Sequence, residues 1–355
     1  MARRSTLQLT IANGTTIAWR EIGEGPPLVL LHGLGDSHRA WLSVAELLAT
    51  RFRVLIPDLP GHGSSARPDA PYTLAWYANT IASWMDALGI ERAHFCGHSY
   101  GGGVAQWMLL EHRKRVERLA LVAPGGFGRE VGVALRLGAI RLSALFLVPC
   151  IMKLATRLLM PRASRSFAVR GAKEIARLAR SHAAPNTGLA FRRTLCACVG
   201  TIRGQRILTW QRIHELEPLP SMCVFWGERD LIIPVSHAHE AARRLSNLDL
   251  HIYPEAGHFV HLEHPFRFAR DLASFLERPL AGKVGRAATG MAAVRSLAET
   301  SRAAHDEARP LPSAISGAHA ANDGAAITTR PDTGTEQVPP AQQPPYRQPL
   351  PSYAG

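Results

Sequence analysis

The pentapeptide Gly97-His98-Ser99-Tyr100-Gly101 is the first place in this 355-residue chain where residue type and spacing point to chemistry. An apolar run, Ala93–Cys96, precedes it and a helical pattern over 101–114 follows. A Gly-x-Ser-x-Gly turn between a strand and a helix exposes the serine hydroxyl at the strand end. Bulkier residues at 97 and 101 would collide with the backbone of so tight a turn. The helix N-terminus beneath it favours developing negative charge. Ser99 is therefore the candidate nucleophile.

A serine hydroxyl is a weak nucleophile near neutral pH and needs an adjacent base, itself oriented by a carboxylate. The family resemblance set out below implies the chain order serine, acid, histidine. Asp230 follows the apolar run Cys223–Trp226 through a Gly-containing turn and is the candidate acid. Glu228, inside the turn, and Glu255, beyond the next strand, are less well placed. Of sixteen histidines, His258 sits behind Gly257, just past the apolar run ending at Tyr253. It is the candidate base. His237, His239, His261 and His264 read as surface or packing residues.

The elements needed to hold these groups are legible. Leu7–Ala12 and Thr16–Ile22 alternate like strands across Asn13-Gly14, a hairpin signal. Leu28–Leu31, Val54–Ile56, Ala93–Cys96, Leu119–Val122, Cys223–Trp226 and Leu250–Tyr253 read as buried strands. Helical patterns cover 38–50, 73–88, 101–114, 235–245 and 265–278. Strands alternating with helices predict an α/β fold: a mostly parallel central sheet with helices on both faces. The alternation breaks over 128–215, which reads as helices without clear strands. Core segments 1–127 and 216–280 thus flank a helical cap inserted between strands. Residues 281–355 hold nine prolines and neither Phe nor Trp, so a disordered Ala/Pro-rich tail is expected there.

His32-Gly33-Leu34-Gly35, Asp58-Leu59-Pro60-Gly61-His62-Gly63-Ser64-Ser65, Gly97-His98-Ser99-Tyr100-Gly101-Gly102, Trp226-Gly227-Glu228-Arg229-Asp230 and Gly257-His258-Phe259 occur in that order. Together they resemble the landmarks of the α/β-hydrolase superfamily across about residues 7–278, with the insert where that family carries a cap. The resemblance implies an oxyanion hole from the backbone N–H groups of Leu34 and Tyr100. Gly33 and Gly35 would let the main chain come close there, and Gly97 and Gly101 would support the elbow. His32 is read as structural, and Asp58 and His62 as holding their loop together.

The net charge is +13, yet 128–215 alone carries 16 Lys/Arg against 3 Asp/Glu. No nucleic-acid-binding motif accompanies this excess, so no nucleic-acid partner is expected. Leu142–Met152 is uncharged and flanked by Arg136, Arg141, Lys153 and Arg157. Three readings stand: a lid with solvent-facing arginines, peripheral contact with an anionic membrane, or arginines facing an acidic substrate. An apolar lid implies a substrate with an apolar acyl or alkyl portion. No apolar run reaches the ~20 residues of a membrane span, and no signal peptide is evident, so a cytoplasmic location is expected. The five cysteines fit neither a zinc site nor a redox pair and read as buried thiols. No metal or nucleotide motif occurs, so no cofactor is expected.

The functional expectation is a serine hydrolase cleaving a carboxylic ester through an acyl-enzyme on Ser99, acting on a small-molecule or lipid ester. Two alternatives are carbon–carbon hydrolysis of vinylogous diketones and a non-catalytic binding protein on the same fold. Enzymes of the former kind commonly carry Trp after the catalytic His, where this chain has Phe259. All three triad members are present, against the latter.

Overall fold

The computed structural model describes residues 6–132, 136, 187–200, 204–209, 212, 215, 219–245 and 248–279. Most of the proposed cap, including Leu142–Met152, and the Pro-rich tail lie outside them. Ten strands and seven α-helices are described. The strands are β1 (Gln8–Ala12), β2 (Thr15–Ile22), β3 (Pro27–Leu31), β4 (Arg53–Pro57), β5 (Ala93–His98), β6 (Val116–Val122), β7 (Val199–Gly200), β8 (Gly204–Gln205), β9 (Met222–Gly227) and β10 (Leu248–Tyr253). The helices are α1 (Leu42–Leu48), α2 (Leu74–Ala87), α3 (Tyr100–Glu111), α4 (Thr187–Cys198), α5 (Ser236–Arg244), α6 (Val260–Glu263) and α7 (Pro265–Glu277).

Eight strands form one sheet in the order β1-β2-β4-β3-β5-β6-β9-β10. The β1–β2 hairpin is antiparallel and meets β4 antiparallel; every other pairing is parallel. The expected α/β fold is therefore present. Because both faces are covered, β3, β9 and the centres of β4, β5 and β6 carry successive apolar residues that feed opposite layers, whereas the edge strand β10 includes Asp249 and His251. Val29, Leu31, Leu55, Phe95, Leu119, Leu121, Val224 and Trp226 pack with α2, α3 and α5. Leu28, Leu30, Val54, Ile56, Cys96, Ala120, Val122, Cys223 and Phe225 pack with α1 and α7. Burying each large aliphatic side chain contributes about 1.5–3 kcal/mol, which makes these two layers the main source of stability.

Local signals set the helix ends. The Thr73 hydroxyl accepts the Trp76 N–H at 3.2 Å and caps α2. Pro265 occupies the first turn of α7, where its missing N–H leaves no bond unmade. The helix expected over 38–50 begins as a 3-10 turn, His38–Trp41, and continues as α1. One expectation is corrected. The 128–215 segment contains a short antiparallel ribbon, β7 with β8, too short to leave a period-two pattern in the sequence.

In a parallel sheet the strands' C-terminal ends lie along one edge, where ligands bind. Here that edge carries the loops after β3 (from His32), β5 (from Ser99), β9 (to Asp230) and β10 (to His258), on strands β3, β5, β9 and β10.

Candidate active site

Ser99 links β5 to α3 with φ 51° and ψ −112°, a left-handed backbone that a side-chain-bearing residue adopts at a cost of ~1–3 kcal/mol. The surroundings enforce it. Ser99 N–H donates to Val122 O at 2.9 Å, and Ser99 O accepts the N–H groups of Gly103 and Gly125, both at 3.2 Å. A Cβ on Gly97 would lie 2.4 Å from Gly101 O, and one on Gly101 would lie 2.4 Å from His32 O. The steric reading of the elbow thus holds at both glycines.

The His32–Gly35 loop crosses directly over the elbow: a Cβ on Gly33 would lie 3.4 Å from Ser99 Cβ and 2.9 Å from His98 Nδ1. Leu34 follows immediately. His32 fixes this loop. Its Nε2 accepts the Leu59 N–H at 2.9 Å, so the proton sits on Nδ1, which donates to Gly33 O at 2.8 Å. Burial lowers the His32 pKa and keeps the ring neutral in that tautomer. Tyr100 opens α3, so its N–H belongs to the first turn, which has no intrahelical acceptors. Its side chain is buried against Tyr77, with ring centroids 5.5 Å apart, and its hydroxyl donates to Tyr72 O at 3.3 Å.

Asp58 holds the neighbouring loop as expected. Its Oδ1 takes the His38 N–H and ring Nδ1, and its Oδ2 accepts the Ser64 N–H at 2.8 Å. Burial, the largest single influence, would raise its pKa; the His38 bond and charge, the His32 charge and the Ser64 N–H together outweigh it and hold the carboxyl below its usual value. His62 bonds Pro60 O at 3.1 Å within the same loop.

Asp230 and His258, 28 residues apart in sequence, meet directly: His258 Nδ1 to Asp230 Oδ2 is 2.7 Å. Both side chains are buried. Asp230 Oδ1 accepts the N–H groups of Ile232 (2.7 Å) and Ile233 (2.9 Å), which fixes the carboxylate's orientation. The loop after β10 folds back across β9: Arg229 N–H donates to Ala256 O at 3.0 Å, and a Cβ on Gly227 would lie 2.1 Å from Gly257 O. The other two acids near this turn, Glu228 and Glu255, are both exposed, and Glu255 pairs with Arg229 at 3.0 Å.

The two halves of the site join through His98. Its ring lies 4.8 Å from that of His258, and its Nε2–H donates to His258 O at 3.1 Å. The imidazole of residue 258 therefore stands beside the residue preceding Ser99. Among the described residues, Asp230 is the hydrogen-bond partner of the His258 ring, and no bond joins that ring to the Ser99 hydroxyl. Glu263 holds the same loop from the other side, accepting the Gly257 N–H (3.1 and 3.0 Å) and the Phe259 N–H (3.3 Å). Sequence reasoning missed both His98 and Glu263. The signal available for Glu263 was an acid five residues beyond the candidate base, immediately ahead of a helix.

Of the remaining histidines, His261 is fully buried between the rings of Trp41 (4.2 Å) and His98 (4.6 Å). His237 is buried and bonds Glu130 at 2.7 Å. Among the described cysteines, Cys96 and Cys223 are buried and Cys196 and Cys198 are partly so, all as free thiols. Helix α4 sits on the core near the elbow, with Ala190 against Gly61 and the Thr194 hydroxyl 3.2 Å from Tyr77 Oη.

Cys223, Asp249 and His251 bring potential metal-ligand atoms within 4.8 Å of one another. Arg278 already lies 2.8 Å from Asp249, and burial drives the Cys223 thiol far above its usual pKa. Among the described residues no helix is long and apolar enough to cross a membrane.

A family model described as the alpha/beta hydrolase fold matches residues 26–265. The chain belongs to the α/β-hydrolase fold family. An uncharacterized Mycobacterium tuberculosis protein is 34% identical over 279 residues, covering 77% of this chain and 81% of the relative. The 2-hydroxymuconate semialdehyde hydrolase of a Pseudomonas species is 32% identical over 274 residues, covering 75% and 92%. A solved hydrolase from Pseudomonas aeruginosa superposes with a TM-score of 0.61 at 26% identity, covering 78% of this α/β-hydrolase chain and all of the other. Hydrolase activity is the function this membership supports.

Proposed function

We propose that this protein is a serine hydrolase in which Ser99 is the nucleophile, His258 the general base and Asp230 the group that orients it. The observation that carries the reading is the 2.7 Å His258–Asp230 bond beside an elbow that holds Ser99 in a left-handed backbone. Asp230 accepts from Nδ1, so Nε2 is the nitrogen left to take a proton. In the reaction Ser99 Oγ attacks a carbonyl carbon while its proton passes to His258 Nε2. The negative charge that develops on the carbonyl oxygen is met by the N–H groups of Leu34 and Tyr100, fixed in place before the reaction. Collapse of the tetrahedral species expels the leaving group, which takes the proton from His258. Water, activated by the same imidazole, then releases the acid and restores Ser99.

The bond assigned for cleavage is a carboxylic ester with an apolar acyl or alkyl portion. The buried aromatic rings of Tyr72, Tyr77 and Tyr100, beside the elbow, support an apolar substrate group. A second reading, hydrolysis of the carbon–carbon bond of a vinylogous diketone, is favoured by the 32% identity to 2-hydroxymuconate semialdehyde hydrolase. Phe259 weighs against it.

The test is turnover of p-nitrophenyl esters of increasing acyl length, alongside a ring-fission dienone, by wild type and Ser99→Ala. Ester turnover abolished in Ser99→Ala supports the first reading. Selective turnover of the dienone supports the second. Unchanged activity in Ser99→Ala refutes the nucleophile.

A further inference from the structure

The loop carrying His258 contributes no regular strand or helix pairing of its own, yet its side chain must be held to within a fraction of an ångström. Three of its backbone groups are instead held by side chains. Glu263, at the end of the four-residue helix α6, turns back and accepts the N–H groups of Gly257 and Phe259, one on each side of His258. His98 takes the carbonyl of His258 itself. Gly257 and His258 are buried, so without these partners their amide groups would be left unsatisfied away from water.

On the reading of Ser99, His258 and Asp230 given above, we propose that Glu263 is a positioning residue that clamps the His258 loop, with His98 closing the clamp from the nucleophile's own strand. The carboxylate does not touch the substrate. It acts by fixing where the imidazole stands relative to Ser99 and Asp230. The arrangement has a further consequence: His98 is covalently next to Ser99, so the base is referenced to the nucleophile through one side chain rather than through the whole sheet.

The test uses the full chain with Glu263→Ala, Glu263→Gln, and Arg53→Ala as a control. Arg53 pairs with Glu21 at the N-terminal end of β4, the opposite edge of the sheet. A misplacement near 1 Å costs about 100-fold in rate. Glu263→Ala is therefore expected to lower kcat about 10- to 100-fold with KM within about twofold. Glu263→Gln, which keeps Oε1 as an acceptor, restores most of it. Arg53→Ala loses stability without this kcat loss. A kcat for Glu263→Ala within about twofold of the Arg53→Ala control overturns the proposal, as does a Gln variant no better than Ala. A second readout does not depend on the substrate. The hydrogen-bonded Nδ1–H of His258 should give a downfield proton resonance in the wild type that broadens or disappears in Glu263→Ala. If it stays sharp and unshifted, the clamp is refuted whatever the enzyme hydrolyses. If the wild type turns over no substrate but the resonance behaves as stated, the reaction assignment fails and the clamp stands.

Discussion

Replacing Asp230 by Asn tests the proposed triad through a proton rather than through a missing atom. In the wild type the carboxylate divides its work: Oδ1 accepts two backbone N–H groups, Ile232 at 2.7 Å and Ile233 at 2.9 Å, and Oδ2 accepts from His258 Nδ1 at 2.7 Å. Asn has one acceptor oxygen. Turning its NH2 toward the two amides would set donor against donor twice, whereas turning it toward His258 conflicts once. The oxygen therefore stays on Ile232 and Ile233, and the NH2 faces the imidazole. His258 can relieve that conflict only by making Nδ1 an acceptor, which moves its proton to Nε2. The nitrogen that must take the Ser99 proton is then already protonated. The expected loss is about 10,000-fold in kcat, or about 5 kcal/mol at 1.36 kcal/mol per decade. Stability should change little, because both amide bonds survive. The assay is kcat on the best ester found, with a thermal melt of the same preparation. Activity within tenfold of wild type refutes the tautomer argument. A large activity loss accompanied by a large fall in Tm refutes the claim that the two amide bonds decide the Asn orientation.

Two other predictions follow from the same geometry. Gly101→Ala places a Cβ 2.4 Å from His32 O, a backbone atom that cannot rotate away, so urea unfolding should show a loss of about 1–3 kcal/mol or more together with lost activity. Burial brings the His94 pKa down from 6.5 to about 4, against a smaller opposing effect from Glu117. The folded state thus disfavours the proton, so this stability is complete above pH 6.5 and is lost as pH falls toward 4. The loss amounts to up to ~3 kcal/mol, and His94→Gln should flatten that part of a plot of urea midpoint against pH.

The catalytic candidates were legible because their constraints are local. An elbow needs glycines at 97 and 101 whatever surrounds it, and an acid or histidine just past an apolar run is carried to the sheet's C-terminal edge by the strand itself. The strands proved longer than their apolar runs. His98 and the start of β6 at Val116 continue the ladder with polar or mixed residues, since pairing is a backbone property and polar ends are tolerated where the sheet meets its loops. What was not legible depends on side chains bonding backbone across loops. Glu263 to Gly257, His32 to Leu59 and Asp58 to His38 leave no periodic trace, because the acceptor geometry exists only once the loops are folded. The β7–β8 ribbon escaped notice for a different reason: two residues per strand are too few for any pattern.

The stems of the inserted region are stitched to each other and to the core. Gln205 N–H donates to Arg129 O at 2.8 Å, the Gln205 side chain accepts the Gly126 N–H at 2.6 Å, and Gly132 N–H donates to Ile232 O at 2.7 Å. The chain thus departs and returns through one hydrogen-bonded doorway, two residues from Asp230. Closing a loop between fixed neighbours grows costlier only with the logarithm of its length. A replacement for the chain between positions 132 and 187 that keeps α4, whose Ala190, Thr194 and Leu195 pack on the core, should therefore leave the Asp230–His258 pair undisturbed.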